Sequence, residues 1–387
     1  MKNSKALALP LFIGLALILF SIWRRYAGLN FESIDMKEYI EIWYDFLSRK
    51  GFHDGLGTSF SNYTPPYLYL LAVATKTKSF LSWIVGIKLI GILFDVYGAL
   101  ITGLLVFKKY KKIEISFLAG SIYFALPTVW LNSSVWGQVD GIYTAFILTS
   151  LLFFLMDRPN LALIFFGLAF AFKLQAIFFL PFLLVLFLQG RIKWYNFLWI
   201  PITYLFMMLP AAAFGRPWSE LTTIYVEQIK QSGIENIWTY NGQNIYAFFP
   251  SSLPRALSTY FTILAGILIL VWVFFTYRRN KLHDPQQIIF IALVAVMLVP
   301  SVLPLMHERY FFLAETISLV LAFYVPSLWL LPFAMQASTY LAYVNFLYPN
   351  PVYDNTRLYA AAIINLTLFA YLLYYQFGHF QNLQADQ

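Results

Sequence analysis

The chain has 387 residues, 60% hydrophobic, 20% aromatic and only 11% charged, against roughly 25% charged in an ordinary soluble domain. That excludes a soluble globular protein and reads as a polytopic membrane protein. The formal charge of +8 lies in short loops between apolar runs, so membrane lipids rather than nucleic acid are the expected counterions.

The absence of cysteine excludes disulfides, thiolate zinc sites and thiol nucleophiles. The apolar runs are continuous rather than alternating with polar residues, which predicts helices and not a barrel. They approach the roughly 20 residues needed to cross a hydrocarbon core of about 30 Å. The runs lie near 7–24, 83–107, 113–131, 140–156, 160–173, 174–189, 194–213, 256–276, 286–304, 310–325, 327–345 and 357–377. The expected fold is therefore an all-α membrane bundle of about twelve transmembrane helices. No repeat, low-complexity tract or soluble insert interrupts it, so residues 1–387 read as one domain.

The first run, Ala6 to Trp23, has basic residues on both sides and no small-residue cleavage pattern, so it reads as a retained span. Short basic loops at Lys108 to Lys112, at Arg191 with Lys193 and at Arg278 to Lys281 are expected in the cytoplasm. Parity then places both termini inside, and Asp35, Trp136 and His307 on the other side. Arg24, Arg25, Arg49, Lys50, Lys76 and Lys78 oppose the rule, but they sit in a long loop where it weighs less.

That loop, 26–82, carries Asp35, Glu38, Glu41, Asp45 and Asp54 and closes on Tyr63-Thr64-Pro65-Pro66-Tyr67. Met36 to Arg49 presents Tyr39, Ile40, Trp43, Phe46 and Leu47 about one helical turn apart, the pattern of an interfacial helix. A carboxylate cluster framed by aromatics at the headgroup boundary fits chemistry on a lipid-borne substrate, whereas its bland alternative is a solvated surface loop. Tyr63 to Tyr67 is equally the start of a helix, because the Pro65-Pro66 dihedrals are fixed.

In the next run Lys88 and Asp95 are seven residues apart, on nearly one helical face but roughly 10 Å apart along the axis. Asp95 is expected to face the bundle interior with a partner; Lys88 either snorkels or meets a lipid phosphate. Asn132 to Gly141, reading Asn-Ser-Ser-Val-Trp-Gly-Gln-Val-Asp-Gly, is the densest polar stretch between two runs. Trp136, Gln138 and Asp140 would make a sugar-binding turn; helix capping by Asp140 is the rival reading. Lys173 and Gln175 interrupt an apolar stretch, and a cation there either snorkels or holds an anion.

A second long loop, 214–255, is aromatic-rich, and its Tyr240-Asn241-Gly242-Gln243-Asn244 is a turn by its Asn-Gly. Its amides, Asn244 among them, could line a sugar pocket. Then His307-Glu308-Arg309 packs three ionisable residues before Tyr310. Arg309 is the strongest phosphate fork in the chain, since a guanidinium offers bidentate donors and keeps its charge. There is no Gly-rich phosphate loop and no His-Glu-x-x-His helix, which argues against nucleotide hydrolysis and zinc proteolysis.

In order along the chain, these residues resemble the GT-C superfamily of membrane glycosyltransferases, in particular bacterial proteins related to the GPI-anchor second mannosyltransferase. Asp35 matches the acidic residue after the first span, and Tyr63-Thr64-Pro65-Pro66 resembles a Tyr-Pro-Pro element with an inserted Thr64. Lys88 and Asp95 match a basic and acidic pair, and Trp136-Gly137-Gln138-Val139-Asp140 a Trp-Gly-Gln-x-Asp signature. Lys173-Leu174-Gln175 with Pro181 fits a Lys-x-Gln segment, and His307-Glu308-Arg309-Tyr310 a late His-Glu-Arg-Tyr turn.

The resemblance implies inverting transfer of mannose, glucose or galactose from a polyprenyl-phosphate donor to a glycan or glycolipid acceptor. The expected setting is the non-cytoplasmic face of a bacterial inner membrane. Asp35 would be the base, while Arg309, Lys173 and Lys88 would hold the phosphate. Tyr63, Trp136, Gln138, Asp140, Gln175, Asn244, His307 and Glu308 would line the substrate site. A divalent cation, Mg or Mn, is compatible with this chemistry, although no residues have dedicated ligand spacing. The rival from another class is a transporter or flippase, but such folds carry internal repeats and midplane sites on broken helices. A polysaccharide polymerase or ligase would place its key residues in a large late loop, for which 214–255 qualifies.

Overall fold

The computed structural model describes residues 2–231, 237–348 and 355–379. In chain order its helices begin with α1 (Lys2–Gly28), α2 (Glu41–Leu56), α3 (Pro65–Thr75), α4 (Trp83–Tyr110) and α5 (Ile113–Ala125). The short α6 (Pro127–Trp130) precedes α7 (Asp140–Leu155), α8 (Pro159–Phe172), α9 (Leu180–Leu188), α10 (Trp199–Ala213) and α11 (Trp218–Gln231). The remainder are α12 (Ser258–Arg279), α13 (Pro285–Val302), α14 (Phe312–Tyr324), α15 (Leu331–Leu347) and α16 (Thr356–Gly378). Two π-helical turns, Met36–Ile40 and Leu131–Trp136, carry residues of interest.

Each of the twelve apolar runs is helical over most of its length. Six helical segments, Ala8–Gly28, Trp83–Tyr110, Trp194–Ala213, Arg255–Arg279, Pro285–Val302 and Thr356–Gly378, are long and apolar enough to cross a membrane, among the described residues. A seventh is added if α5 and the stretch Pro127–Trp136, bent by 52°, count as one span. These helices mark an integral membrane protein. The run expected as one straight span over 113–131 is broken because Pro127 disfavours helical geometry at the residue before it. Leu126 accordingly adopts an extended ψ of 132°. The other apolar helices, such as α7 and α8 with 16 and 14 residues, fall short of about 20.

Local chemistry sets the ends of several helices. Pro65 and Pro66 open α3 from an extended Thr64, the position where a missing N–H costs nothing. Ser82 caps α4, whose other end is closed by Lys111 in the left-handed region at φ 55°. Asp284 and Gln287 form a capping box before α13.

The chain forms two compact units. One holds the residues up to Phe154, Asn160–Ala176, and Tyr195 to the end of α11. In it α5 packs closely against both α4 and α1, and α2 rests on α3. The expected amphipathic helix is there: Ile40, Trp43 and Leu47 are buried, whereas Tyr39 is exposed. The amphipathic α11 buries Leu221, Ile224 and Tyr225 and leaves Val226 and Ile229 exposed. The other unit holds Leu155–Pro159, Ile177–Trp194 and the described residues from 237 onward. Its centre is α13, with 89% of its apolar window buried, packed against α9, α14 and α16.

Candidate active site

In the first unit the chain leaves α1 at Gly28 and reaches Asp35 just before the π-helical turn Met36–Ile40. Asp35 is half-buried. Its Oδ2 accepts hydrogen bonds from Trp136 Nε1 at 2.8 Å and from Gln138 Nε2 at 2.6 Å. The two candidate motifs, 101 residues apart, thus meet at one carboxylate oxygen. Ser33 Oγ donates to the Trp136 carbonyl at 2.7 Å, and the Met36 amide donates to Ser33 Oγ at 3.2 Å. A second tie therefore fixes the Asp35 loop to the Trp136 turn.

Gly137 permits that contact. Its φ of +78° lies in the left-handed region, and a Cβ there would come within 2.6 Å of Met36 Sδ. A residue with a Cβ would be strained at that φ and would have to displace the buried Met36 side chain. Gln138 Oε1 is buried with no hydrogen-bond partner among the described residues, an unmet acceptor beside Asp35.

Asp140 is fully buried. Its Oδ1 accepts from Lys173 Nζ at 2.5 Å and its Oδ2 from Asn132 Nδ2 at 2.9 Å, while its own amide donates to Asn132 Oδ1 at 3.2 Å. Lys173, between α8 and the 3-10 turn Leu174–Phe179, is itself buried. The turn's far end is thus locked by an ion pair, and Lys173 spends its charge on Asp140. Gln175 is half-buried, and its Oε1 is without a hydrogen-bond partner among the described residues.

Asp95 faces the bundle interior, as expected, and is 1% exposed. It is held by Arg25 Nη2 at 2.8 Å and by Ser133 Oγ at 2.5 Å. Arg25 also donates to Ser21 Oγ and to the Phe124 carbonyl. This partner was missed from sequence, where Arg25 read as a loop cation flanking the first span. A cation one turn before a helix end looks the same whether it faces lipid headgroups or a buried carboxylate.

Lys88, 1% exposed, donates to the carbonyls of Gly28 at 2.9 Å and Phe31 at 2.7 Å. Tyr63 sits in an aromatic row, its ring centroid 5.2 Å from both Trp43 and Tyr67. Burial, with Tyr63 alongside, raises the Tyr67 hydroxyl far above its ordinary range, so it stays a neutral phenol. Burial likewise raises Tyr225, with a smaller contribution from Tyr204. Burial lowers the Arg216 guanidinium, opposed by Glu220.

In the second unit the two late polar turns are stitched together. The Tyr240 amide donates to the Met306 carbonyl at 2.9 Å, and the Glu308 amide donates to the Tyr240 carbonyl at 3.2 Å. The His307 ring stacks on Tyr240 at 4.6 Å and 9°. Glu308 is fully buried, 3.2 Å from Arg309 Nη1 and 3.9 Å from His307 Nδ1. Leu305 just before them has φ of 64°, a conformation costing a non-glycine residue of order 1 kcal/mol. Asn244 is buried, donating to the carbonyls of Pro300 and Leu303 and accepting from the Tyr246 amide. Its nitrogen braces the end of α13, while its oxygen caps the 3-10 turn Ile245–Phe248. Among the described residues, no three His, Asp or Glu side chains gather in a metal-binding group.

No curated protein matches the chain. The profile of Glycosyltransferase family 87 matches residues 60–304. The matched stretch takes in Tyr63, Lys88, the Trp136 to Asp140 turn, Lys173, Gln175 and Asn244; Asp35 and His307 to Arg309 lie outside it. With well over half of the chain aligned, the protein belongs to glycosyltransferase family 87.

Proposed function

We propose that this glycosyltransferase moves a single sugar, with inversion, from a polyprenyl-phosphate donor to a hydroxyl of a glycolipid or cell-surface glycan, with Asp35 as base. The donor and acceptor hydroxyl meet on the non-cytoplasmic face of a bacterial inner membrane, which the chain crosses about twelve times once its shorter apolar helices are counted. Asp35 takes the proton as the acceptor oxygen forms its bond to the anomeric carbon. The bond from that carbon to the phosphate oxygen breaks, and its electron pair leaves with polyprenyl phosphate. A phosphate leaving group needs no general acid, but it does need a cation. Arg309 is assigned that role on the chemistry of its guanidinium, with Lys173 as the alternative.

One observation carries the assignment of Asp35: Trp136 and Gln138 both donate to its Oδ2. Two donors on one oxygen fix the plane of the carboxylate, the orientation a base needs before a substrate arrives. The resemblance to the mannosyltransferase-related branch favours mannose over glucose and galactose.

The test is an assay of the purified protein in lipid against polyprenyl-phosphate mannose, glucose and galactose, with membrane lipid extract as acceptor. Transfer from one of them, with the anomeric configuration inverted in the product, is the expected result. Transfer from a nucleotide sugar alone, or a retained configuration, would overturn the proposal.

A further inference from the structure

The face of α4 that carries Lys88, Gly91 and Asp95, three and then four residues apart, lies along a single helical stripe. Each of these residues meets one of the two segments that join at Asp35. Lys88 donates to Gly28 O and Phe31 O, the carbonyls at the end of α1 and in the loop four residues before Asp35. Gly91 faces the Trp136 turn so closely that a Cβ would lie 3.0 Å from Ser133 Cβ and 3.2 Å from the Gln138 carbonyl. Asp95 accepts from Ser133 Oγ in the same turn.

We infer that Lys88 is a positioning residue, which acts on the Asp35 carboxylate through the Gly28 to Phe31 backbone while Gly91 and Asp95 seat the Trp136 turn opposite it. The carbonyls at a helix C-terminus have no partners within the helix and carry partial negative charge. A buried ammonium with one donor on the last carbonyl of α1 and another on a loop carbonyl three residues further on both ends α1 and fixes where the adjoining loop begins. Because the ammonium is fully enclosed and turned to backbone oxygens, its charge holds the chain rather than a lipid phosphate. The inference deepens the proposed function and rests on Asp35 as the base.

Lys88→Met keeps an unbranched side chain, one atom shorter, and removes its donors; because two backbone carbonyls then lose their partner, thermal unfolding of the variant checks that the fold survives. Gly91→Ala is the second variant: a better helix former that presses on the Trp136 turn from the other side. In this cysteine-free chain, Ile34→Cys, at a residue 54% exposed and next to Asp35, accepts a nitroxide label. With Lys88→Met, the label should become more mobile and turnover should fall roughly a hundredfold. Donor affinity should stay within about twofold, a change too small for a lost charged contact. Gly91→Ala should lower turnover in the same direction, again with donor affinity kept.

An unchanged label spectrum in Lys88→Met would overturn the inference, as would a large loss of donor affinity, which would make Lys88 a ligand of the phosphate. Full turnover in both variants while Asp35→Asn is inactive would also overturn it and leave the base assignment standing. Full turnover in Asp35→Asn itself would instead remove the base assignment, while the label would still report whether Lys88 holds the loop.

Discussion

Trp136 Nε1 and Asp35 Oδ2 lie 2.8 Å apart across 101 residues of chain, so the orientation of the carboxylate depends on an indole from a different helix junction. Trp136→Phe retains an aromatic ring and deletes that one N–H. A hydrogen bond to a charged group contributes about 1.5–3 kcal/mol, so turnover should fall roughly ten- to hundredfold. Steady-state kinetics with saturating donor would measure it; wild-type turnover would show that Gln138 alone orients Asp35.

Asp35→Asn should leave a folded protein that binds the polyprenyl-phosphate sugar but turns it over about 10²–10⁴-fold more slowly, the range for a lost general base. The amide oxygen still accepts from Trp136 and Gln138, yet the side chain cannot take a proton. Single-turnover transfer, with donor binding measured separately, isolates the chemical step. An active Asp35→Asn protein would remove the base from this loop.

Asp140 and Lys173 form a buried pair at 2.5 Å. Lys173→Met should strand the Asp140 carboxylate and destabilise the protein by about 3–5 kcal/mol. Adding Asp140→Asn should recover much of that loss, because it removes the stranded charge. Thermal unfolding of the detergent-solubilised variants gives the comparison. A Lys173→Met protein of normal stability but weak donor affinity would make Lys173 a phosphate ligand.

Arg309→Lys should weaken donor binding by roughly ten- to hundredfold, since an ammonium cannot reproduce two parallel N–H donors. Equilibrium binding of the donor in nanodiscs would show it. Unchanged affinity in a folded protein would move the phosphate to another cation.

Legibility tracked distance along the chain and burial. Asp35, Trp136 and Gln138 were readable as a polar loop and a polar turn, because carboxylates and amides between apolar runs are conspicuous. That they touch was not readable, since no local pattern brings residue 35 to residue 136. Lys88 shows the same limit: its charge inside an apolar run predicted an interaction, but a phosphate oxygen and a backbone carbonyl attract an ammonium alike. Arg25 was hidden because its partner Asp95 lies 70 positions away. The apolar runs were read as helices from their continuity. Their number of crossings was harder, because a 14-residue apolar helix such as α8 has the composition of a span without its length.

The sidedness of the site can be tested with single cysteines in this cysteine-free chain. Ile34→Cys and Lys109→Cys should react with an impermeant thiol reagent from opposite sides of oriented membranes, because short basic loops stay in the cytoplasm. Labelling of both from one side would overturn the topology.

The π-helical turn Leu131–Trp136 has a consequence for how this segment can vary. Each residue advances a helix by about 100°, so the extra residue in a π-helical turn sets the rotational phase of the residues after it. Deleting any one residue between Leu131 and Val135 would swing the Trp136 indole away from Asp35 even if every side chain in the turn were kept. The segment is therefore a counter as much as a motif: substitutions within it can be absorbed, whereas a change of length by one breaks its phase with the carboxylate it serves.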